Sequence, residues 1–337
     1  MSIRVAAIGV CHWHSLYDAA YLRHLARMND VEIVGIQDDD QTIADHRAGE
    51  LGGGIPTFTD YKRMLSEAGP DFVLALGRHD TMARTALHLL DNKMPFLMEK
   101  PMSYSARQLR EVLERAEVTD GFAAVPLSCR HLPVIKQARK LIQDDTYGPI
   151  THFYERMNRP TSGRYPTWNA GWMLDPKIAN GGCLRNLGSH GLDAFVLLTG
   201  EGEDVEVTGA QLSWSTHDQP VEDYASVLVR SGQGVVGTIE VGNGFPRDGT
   251  DGEWKVAFRD ALLTFKDDVL KLNTASGEQV LPSEPPGNLS AMVLREALDA
   301  AARGDKPPIS VNDCYRAVRL IDQAYILAGN PYGTAAL

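Results

Sequence analysis

The stretch RVAAIGVCHWHSLY, residues 4–17, decides how the chain is read. It opens in a short apolar run, residues 3–8, with β-branched members, the pattern of a strand buried on both faces. Gly9 follows at once. A dinucleotide-binding turn has the form G-x-G-x-x-G between a strand and a helix. Its three places fall here on Gly9, Cys11 and His14, so only the first glycine is kept. Two other readings compete. His12 and His14 could bind a metal, but a structural zinc needs four ligands and nothing nearby in sequence adds to the pair, so no metal is expected. Cys11 as a nucleophile would need a positioned base, and a helix-capping loop is the more ordinary setting for both histidines.

Asp38 favours the cofactor reading. It ends the second strand (31–36) and lies 24 positions beyond His14, near the spacing of roughly 20 for the acid that bonds the adenosine ribose. Asp38, Asp39 and Asp40 form an acidic cluster with no arginine beside them in sequence. A 2′-phosphate would be repelled there, so NAD is expected in preference to NADP. Gly9, Val10, Cys11 and His12 then line the cofactor path. A helix beginning near Ser15, with apolar residues spaced over 16–28, would offer its first amides to the phosphates.

Strands at 3–8, 31–36, 71–76, 95–98 and 122–127 alternate with helical patterns at 16–28, 61–68, 81–91 and 105–117, with Asp60 as an N-cap. A glycine-rich loop covers 52–56. This alternation predicts an α/β Rossmann domain, a doubly wound parallel sheet, over residues 1–128. Ligands of such sheets sit at the carboxyl ends of the strands. That places His79, Glu99 and Lys100 near the cofactor.

The pattern changes after residue 128. A helix at 132–142, a strand near 148–158 and a loop at 159–182 precede a helix at 183–198. Strand patterns run from 205 to 282, and helices at 289–303 and 311–328 follow. Residues 129–337 therefore read as an α+β domain with a mainly antiparallel sheet. Asn186, His190 and Asp193 fall within about 60° of one another on a continuous helix. Arg156, Asn158, Tyr165, Trp168, Asn169, Trp172 and Asp175 are polar and aromatic residues suited to a sugar pocket.

The 337 residues are 43% apolar and 23% charged, with a net charge of −11. That is a globular balance, and its acidity opposes binding to nucleic acid. No apolar run is long enough to span a membrane and no signal peptide is visible. Four widely spaced cysteines, with no C-x-x-C, point to reduced thiols in the cytoplasm.

EKP at 99–101, GGCLRNLGSHGLD at 181–193 and the Trp172, Asp175, Pro176 run make the chain resemble the Gfo/Idh/MocA family of glucose–fructose oxidoreductase and inositol dehydrogenase. The resemblance covers essentially the whole length. It implies an open sheet in the second domain that forms a homodimer or homotetramer, and an active site in the cleft between domains. It also implies hydride transfer between NAD(P) and a secondary alcohol or ketone of a sugar, sugar derivative or cyclitol. Lys100 would contact substrate and cofactor, and the peptide joining it to Pro101 is often cis. A base must take the hydroxyl proton; Lys100 and His190 are the catalytic candidates, with Asn186, Asp193, Asp175, Arg156, Trp168 and Trp172 around the substrate. Inositol dehydrogenases carry aspartate where this chain has Asn186, an amide without charge to stabilise an imidazolium. That moves the base role towards Lys100. Two alternatives use the same residues: a retaining glycosidase with transient NAD chemistry, and a non-catalytic sugar or NAD sensor.

Overall fold

The computed structural model describes residues 2–200, 204–283 and 287–329. The chain packs as two units. The first comprises the chain as far as Pro126, with Tyr165–Asn180 and Ser290–Tyr315; the second comprises Leu127–Arg164, Gly181–Leu289 and the chain from Arg316. The expected division at 128/129 lies beside the first of these boundaries, at Pro126/Leu127. The later segments join the first unit through contacts distant in sequence. Val125 N–H donates to the carbonyl of Ile309 (3.0 Å), and Tyr165 packs edge-on to Trp13.

Six parallel strands form the sheet of the first unit: β1 (Ile3–Ile8), β2 (Val31–Gln37), β3 (Thr57–Phe58), β4 (Phe72–Ala75), β5 (Phe96–Met98) and β6 (Ala123–Ala124). Their order is β3-β2-β1-β4-β5-β6, that of a dinucleotide-binding sheet. Val5, Ala6, Ala7 and all of β4 are buried, as a sheet with both faces covered requires. The order reverses between β1 and β4, which leaves a crevice at their carboxyl ends.

One local expectation fails in this unit. Residues 16–28 do not form one helix. A 3-10 turn at Trp13–Ser15 is followed by a five-residue helix, Tyr21–Leu25, because Asp18 and Ala20 take positive φ (51° and 46°) and break the path. Leu16, Ala19, Leu22 and Leu25 are still buried, so their spacing reported burial without a continuous helix. No regular helix therefore begins near Ser15 to present its amides. A further helix, Gln41–Gly49, forms where the sequence shows no helical period. Asp40 caps it by accepting the Thr42 amide; its polar composition hides the 3.6-residue period.

An eight-stranded sheet forms the second unit: β7 (Ile150–Asn158), β8 (Glu206–Ser213), β9 (Tyr224–Arg230), β10 (Val236–Gly242), β11 (Asp251–Phe258), β12 (Ala261–Lys266), β13 (Val269–Thr274) and β14 (Gly277–Val280). The order is β14-β13-β12-β11-β7-β10-β9-β8, antiparallel except for β7 beside β10. One face is apolar. Phe153, Val227, Ile239 and Trp254 share a core there with Phe195 of the helix Cys183–Thr199 and with Leu320 and Ile321. Tyr154, Arg156, Glu240 and Lys255 alternate onto the other face, which also exposes Leu228 and Val236.

The start of the helix Cys183–Thr199 is held by an internal acid. The Glu222 carboxylate accepts the amides of Gly182 (2.7 Å) and Leu184 (3.1 Å) and the hydroxyl of Tyr325 (2.6 Å). Buried negative charge at a helix N-terminus meets unpaired N–H groups and the positive end of the helix dipole. The two glycines of GGCL are required by this closeness. A Cβ on Gly181 would overlap the Tyr325 hydroxyl, and one on Gly182 the Glu222 backbone. Gly182→Ala is expected to destabilise the second unit by about 3 kcal/mol, read as a lowered denaturation midpoint; an unchanged midpoint would contradict this packing.

Candidate active site

A cavity of about 360 Å³ opens at the carboxyl ends of the first sheet, with Gly9, Cys11, Asp38, Gly77, Met98 and Trp172 among its lining residues. Gly9 has φ +67°, and a Cβ there would lie 2.5 Å from the backbone of Gly77. The Gly77 amide donates to the Gly9 carbonyl (2.9 Å). Only glycine allows these two turns to meet, so the surviving glycine is the one the crevice needs. Asp38 then fixes the loop: its carboxylate accepts the amides of Cys11 (2.6 Å) and Asp40 (3.2 Å). Burial raises the pKa of Asp38, against the pull of those amides. Burial and neighbouring Asp38 push the Cys11 thiol well up, the opposite of what a thiolate nucleophile needs.

The tight turn, the acid on the wall and a volume within the range of small-ligand sites fit an adenine dinucleotide. The fold also places Arg78 and Arg84 on the cavity, although neither is near Asp38 in sequence. Arg78 is paired with Asp80 (3.0 Å). Val10 is buried, and its carbonyl accepts from Arg47 (3.2 Å).

Glu99 and Lys100 follow β5, both buried, with a cis Lys100–Pro101 peptide. Glu99 Oε1 accepts from His14 Nδ1 (2.7 Å) and the Tyr21 hydroxyl (2.8 Å), and Oε2 from the Lys100 amide (3.1 Å). Burial works to raise the Glu99 pKa, but His14, His12 and Lys100 outweigh it and hold the carboxyl well below the usual carboxylate range. Burial, and Glu99 beside it, push the Tyr21 hydroxyl well up. His12 is buried and stacked on Trp13 at 4.0 Å. Burial, then His14, push His12 well down, so its ring is neutral.

The ligand atoms of His12, His14 and Glu99 lie within 4.8 Å of one another. Sequence offered two of these groups, and folding adds the third from 85 residues away. Their hydrogen bonds use them otherwise. His12 Nδ1 accepts the His14 amide (3.2 Å), which leaves the ring proton on Nε2, and His14 Nδ1 donates to Glu99. His79, at the start of the helix His79–Asp91, donates from Nδ1 to the Ala179 carbonyl (2.8 Å) and meets the edge of Trp172 at 5.2 Å.

In the second unit, Asn186, His190 and Asp193 all lie on the helix Cys183–Thr199. Arg130 forms a two-pronged ion pair with Asp193 (2.7 and 2.5 Å). That partner has no motif of its own and was missed. Arg156 is not gathered with them. It projects from the sheet face opposite this helix and pairs with Asp251 (2.9 Å) and Tyr154 (3.2 Å), because side chains on a strand alternate. Asp175 caps a short helix through the Lys177 amide (2.9 Å), and Trp168 stacks on Tyr17 at 5.5 Å; both have local duties in the first unit. Trp172 alone of the expected pocket aromatics among 165–172 is on the cavity wall, beside Asn169.

Comparison with known proteins adds to this geometry. Residues 3–125 match the family described as "Oxidoreductase family, NAD-binding Rossmann fold", and residues 135–259 the "GFO/IDH/MocA C-terminal domain". The chain is 23% identical over 229 residues to the rhizopine catabolism protein MocA of Rhizobium meliloti, an alignment covering 67% of this chain and 68% of that one. A levoglucosan dehydrogenase solved with NADH and levoglucosan shares the fold at TM-score 0.83 and 17% identity, over 98% of each chain. So does an oxidoreductase from Agrobacterium radiobacter solved with NAD+, L-tartaric acid and magnesium, at TM-score 0.83 and 15% identity over 98% of this chain and 97% of that one. With both of its domains matched, the chain belongs to the Gfo/Idh/MocA family of NAD-binding oxidoreductases.

Proposed function

We propose that the protein is an NAD-dependent dehydrogenase or reductase acting on a secondary alcohol or ketone of a sugar, sugar derivative or cyclitol. The observation that carries this reading is Lys100, buried at the end of the strand whose Met98 lines the cofactor cavity. Gly9, Cys11 and Gly77 would hold the dinucleotide at its phosphates and Asp38 at its adenosine ribose. Bound NAD⁺ supplies the acceptor for the hydride that leaves the carbinol carbon. Lys100 takes the hydroxyl proton as the C–H bond breaks, and returns it in reduction. His190 is the second group at that hydroxyl, and Asn186 a neutral hydrogen-bond partner. A carbohydrate substrate agrees with the levoglucosan bound by one structural neighbour.

NAD is preferred to NADP in this reading. Asp38 and Asp39 face the cavity, and Arg78 is already paired with Asp80. No metal takes part. The open face of the eight-stranded sheet, where Leu228 and Val236 are exposed, joins copies of the chain into a dimer or tetramer. Among the described residues no helix is long and apolar enough to cross a membrane. No disulfide joins the four cysteines, in keeping with a cytoplasmic protein.

Turnover is tested with a panel of sugars, sugar acids and cyclitols, monitored by NADH absorbance. Lys100→Ala should lower kcat on an accepted substrate by at least roughly 100-fold while NADH binding persists; undiminished turnover would sink the mechanism. NADP⁺ should bind at least about 10-fold more weakly than NAD⁺. Asp38→Ala should weaken NAD⁺ binding by roughly 10-fold, the worth of hydrogen bonds to a charged group, and narrow the gap between the cofactors. Equal affinity of the native protein for both would refute the assignment of Asp38.

A further inference from the structure

Arg47 is a buried cation that the proposed mechanism does not use. It lies on the helix Gln41–Gly49 and is 0% exposed. Its Nε donates to the Val10 carbonyl (3.2 Å), and one terminal nitrogen donates to the Trp168 carbonyl (3.2 Å). The other terminal nitrogen is 3.4 Å from His46 Nδ1, and the guanidinium carbon is 5.6 Å from the centre of the Tyr17 ring. Tyr17 in turn stacks on Trp168. A guanidinium stays charged inside a protein, and none of these partners is an anion. Taking a cation out of water without an opposing charge is costly, so its place in the fold calls for a reason.

The Val10 carbonyl supplies one. The carbonyl bonded by Arg47 and the amide bonded by Asp38 (2.6 Å) belong to the same peptide, Val10–Cys11. That peptide lies in the turn after β1, where a dinucleotide-binding fold meets the pyrophosphate. The usual source of positive potential there is the N-terminus of a helix. This chain has a three-residue 3-10 turn instead, Trp13–Ser15, and then a five-residue helix. The His14 amide is taken by His12 Nδ1 (3.2 Å) and the Ser15 amide by the His12 carbonyl (3.0 Å). Asp38, Asp39 and Asp40 line the cavity, and of the two arginines on its wall Arg78 is paired with Asp80.

We propose that Arg47 is a positioning residue for the cofactor: its buried charge, set behind the Val10–Cys11 peptide, attracts the pyrophosphate in place of a helix N-terminus. The inference rests on the reading that puts the dinucleotide phosphates at the Gly9 turn. Arg47 acts through the peptide it holds, with the carbonyl turned to the guanidinium and the amide turned to Asp38. Its bond to the Trp168 carbonyl also ties this turn to the segment Tyr165–Asn180, which brings Asn169 and Trp172 to the cavity.

Calorimetry with ADP-ribose, which carries the pyrophosphate, and with adenosine, which does not, tests the proposal. Arg47→Gln keeps an N–H donor for the carbonyls and removes the charge; Arg47→Lys keeps the charge. Arg47→Gln should weaken ADP-ribose binding by roughly 10-fold, the effect of one charge behind the turn in a partly screened site, and leave adenosine binding unchanged. Arg47→Lys should bind ADP-ribose as the native protein does. A glutamine variant equal to the native protein on ADP-ribose would refute the proposal. So would one that lost both ligands equally, because an arginine that only braced the fold would act on both. If the glutamine variant failed to fold, the lysine variant would decide alone: native affinity for ADP-ribose supports the role of charge, and a loss as large as that expected for glutamine overturns it. Native protein that held ADP-ribose no better than adenosine would overturn the phosphate placement itself, a failure seen before any variant is made.

Discussion

Burying the Glu99 carboxylate imposes a condition on everything near it, because an ion removed from water must be repaid by partners in the protein. Three segments supply them: His14 from the dinucleotide loop, Tyr21 from the short helix behind it, and the amide of Lys100. The loop at 9–16 is therefore held from two sides. Asp38 takes the Cys11 amide on the cavity side, and Glu99 takes His14 on the inner side. This explains how the turn manages with one glycine. Gly9 meets the steric demand at Gly77, and hydrogen bonds to two acids do the remaining work of shaping the loop.

The second unit uses the same device at a different element. Glu222, also buried, is bonded by the first amides of the helix that carries Asn186 and His190, and by Tyr325. The anion fixes where that helix starts, and the glycines at 181 and 182 let the chain pass close enough for it to do so. In both units an internal carboxylate thus sets the position of a segment that carries proposed site residues. Arg130 does a related task further along the helix by pairing with Asp193.

Much of the fold was legible because it depends on local pattern. Apolar runs of four to six residues at β1, β2 and β4, the Asp60 cap and the 183–199 helix all announce themselves within a few residues. Errors came where burial and period part company. Leu16, Ala19, Leu22 and Leu25 have helical spacing and are buried, yet positive φ at Asp18 and Ala20 divides the segment. The helix Gln41–Gly49 is too polar for its period to show. Arg156 has the polar character of a pocket residue, but strand alternation puts it on the sheet face opposite the helix Cys183–Thr199, where it pairs with Asp251.

The sequence by itself determined the family, the strands β1, β2, β4, β5 and β6 of the first unit, and the motif residues Gly9, Asp38, Lys100 and His190, since each is marked by its place in a motif or at the end of an element. Only the tertiary structure decided what surrounds them. The closure of His14 and Tyr21 on Glu99, the arginines on the cofactor cavity, the Arg130–Asp193 pair and the return of Tyr165–Asn180 to the first unit join residues far apart along the chain. Partners of that kind leave no periodic trace, because what selects them is the charge and space available once the strands have packed.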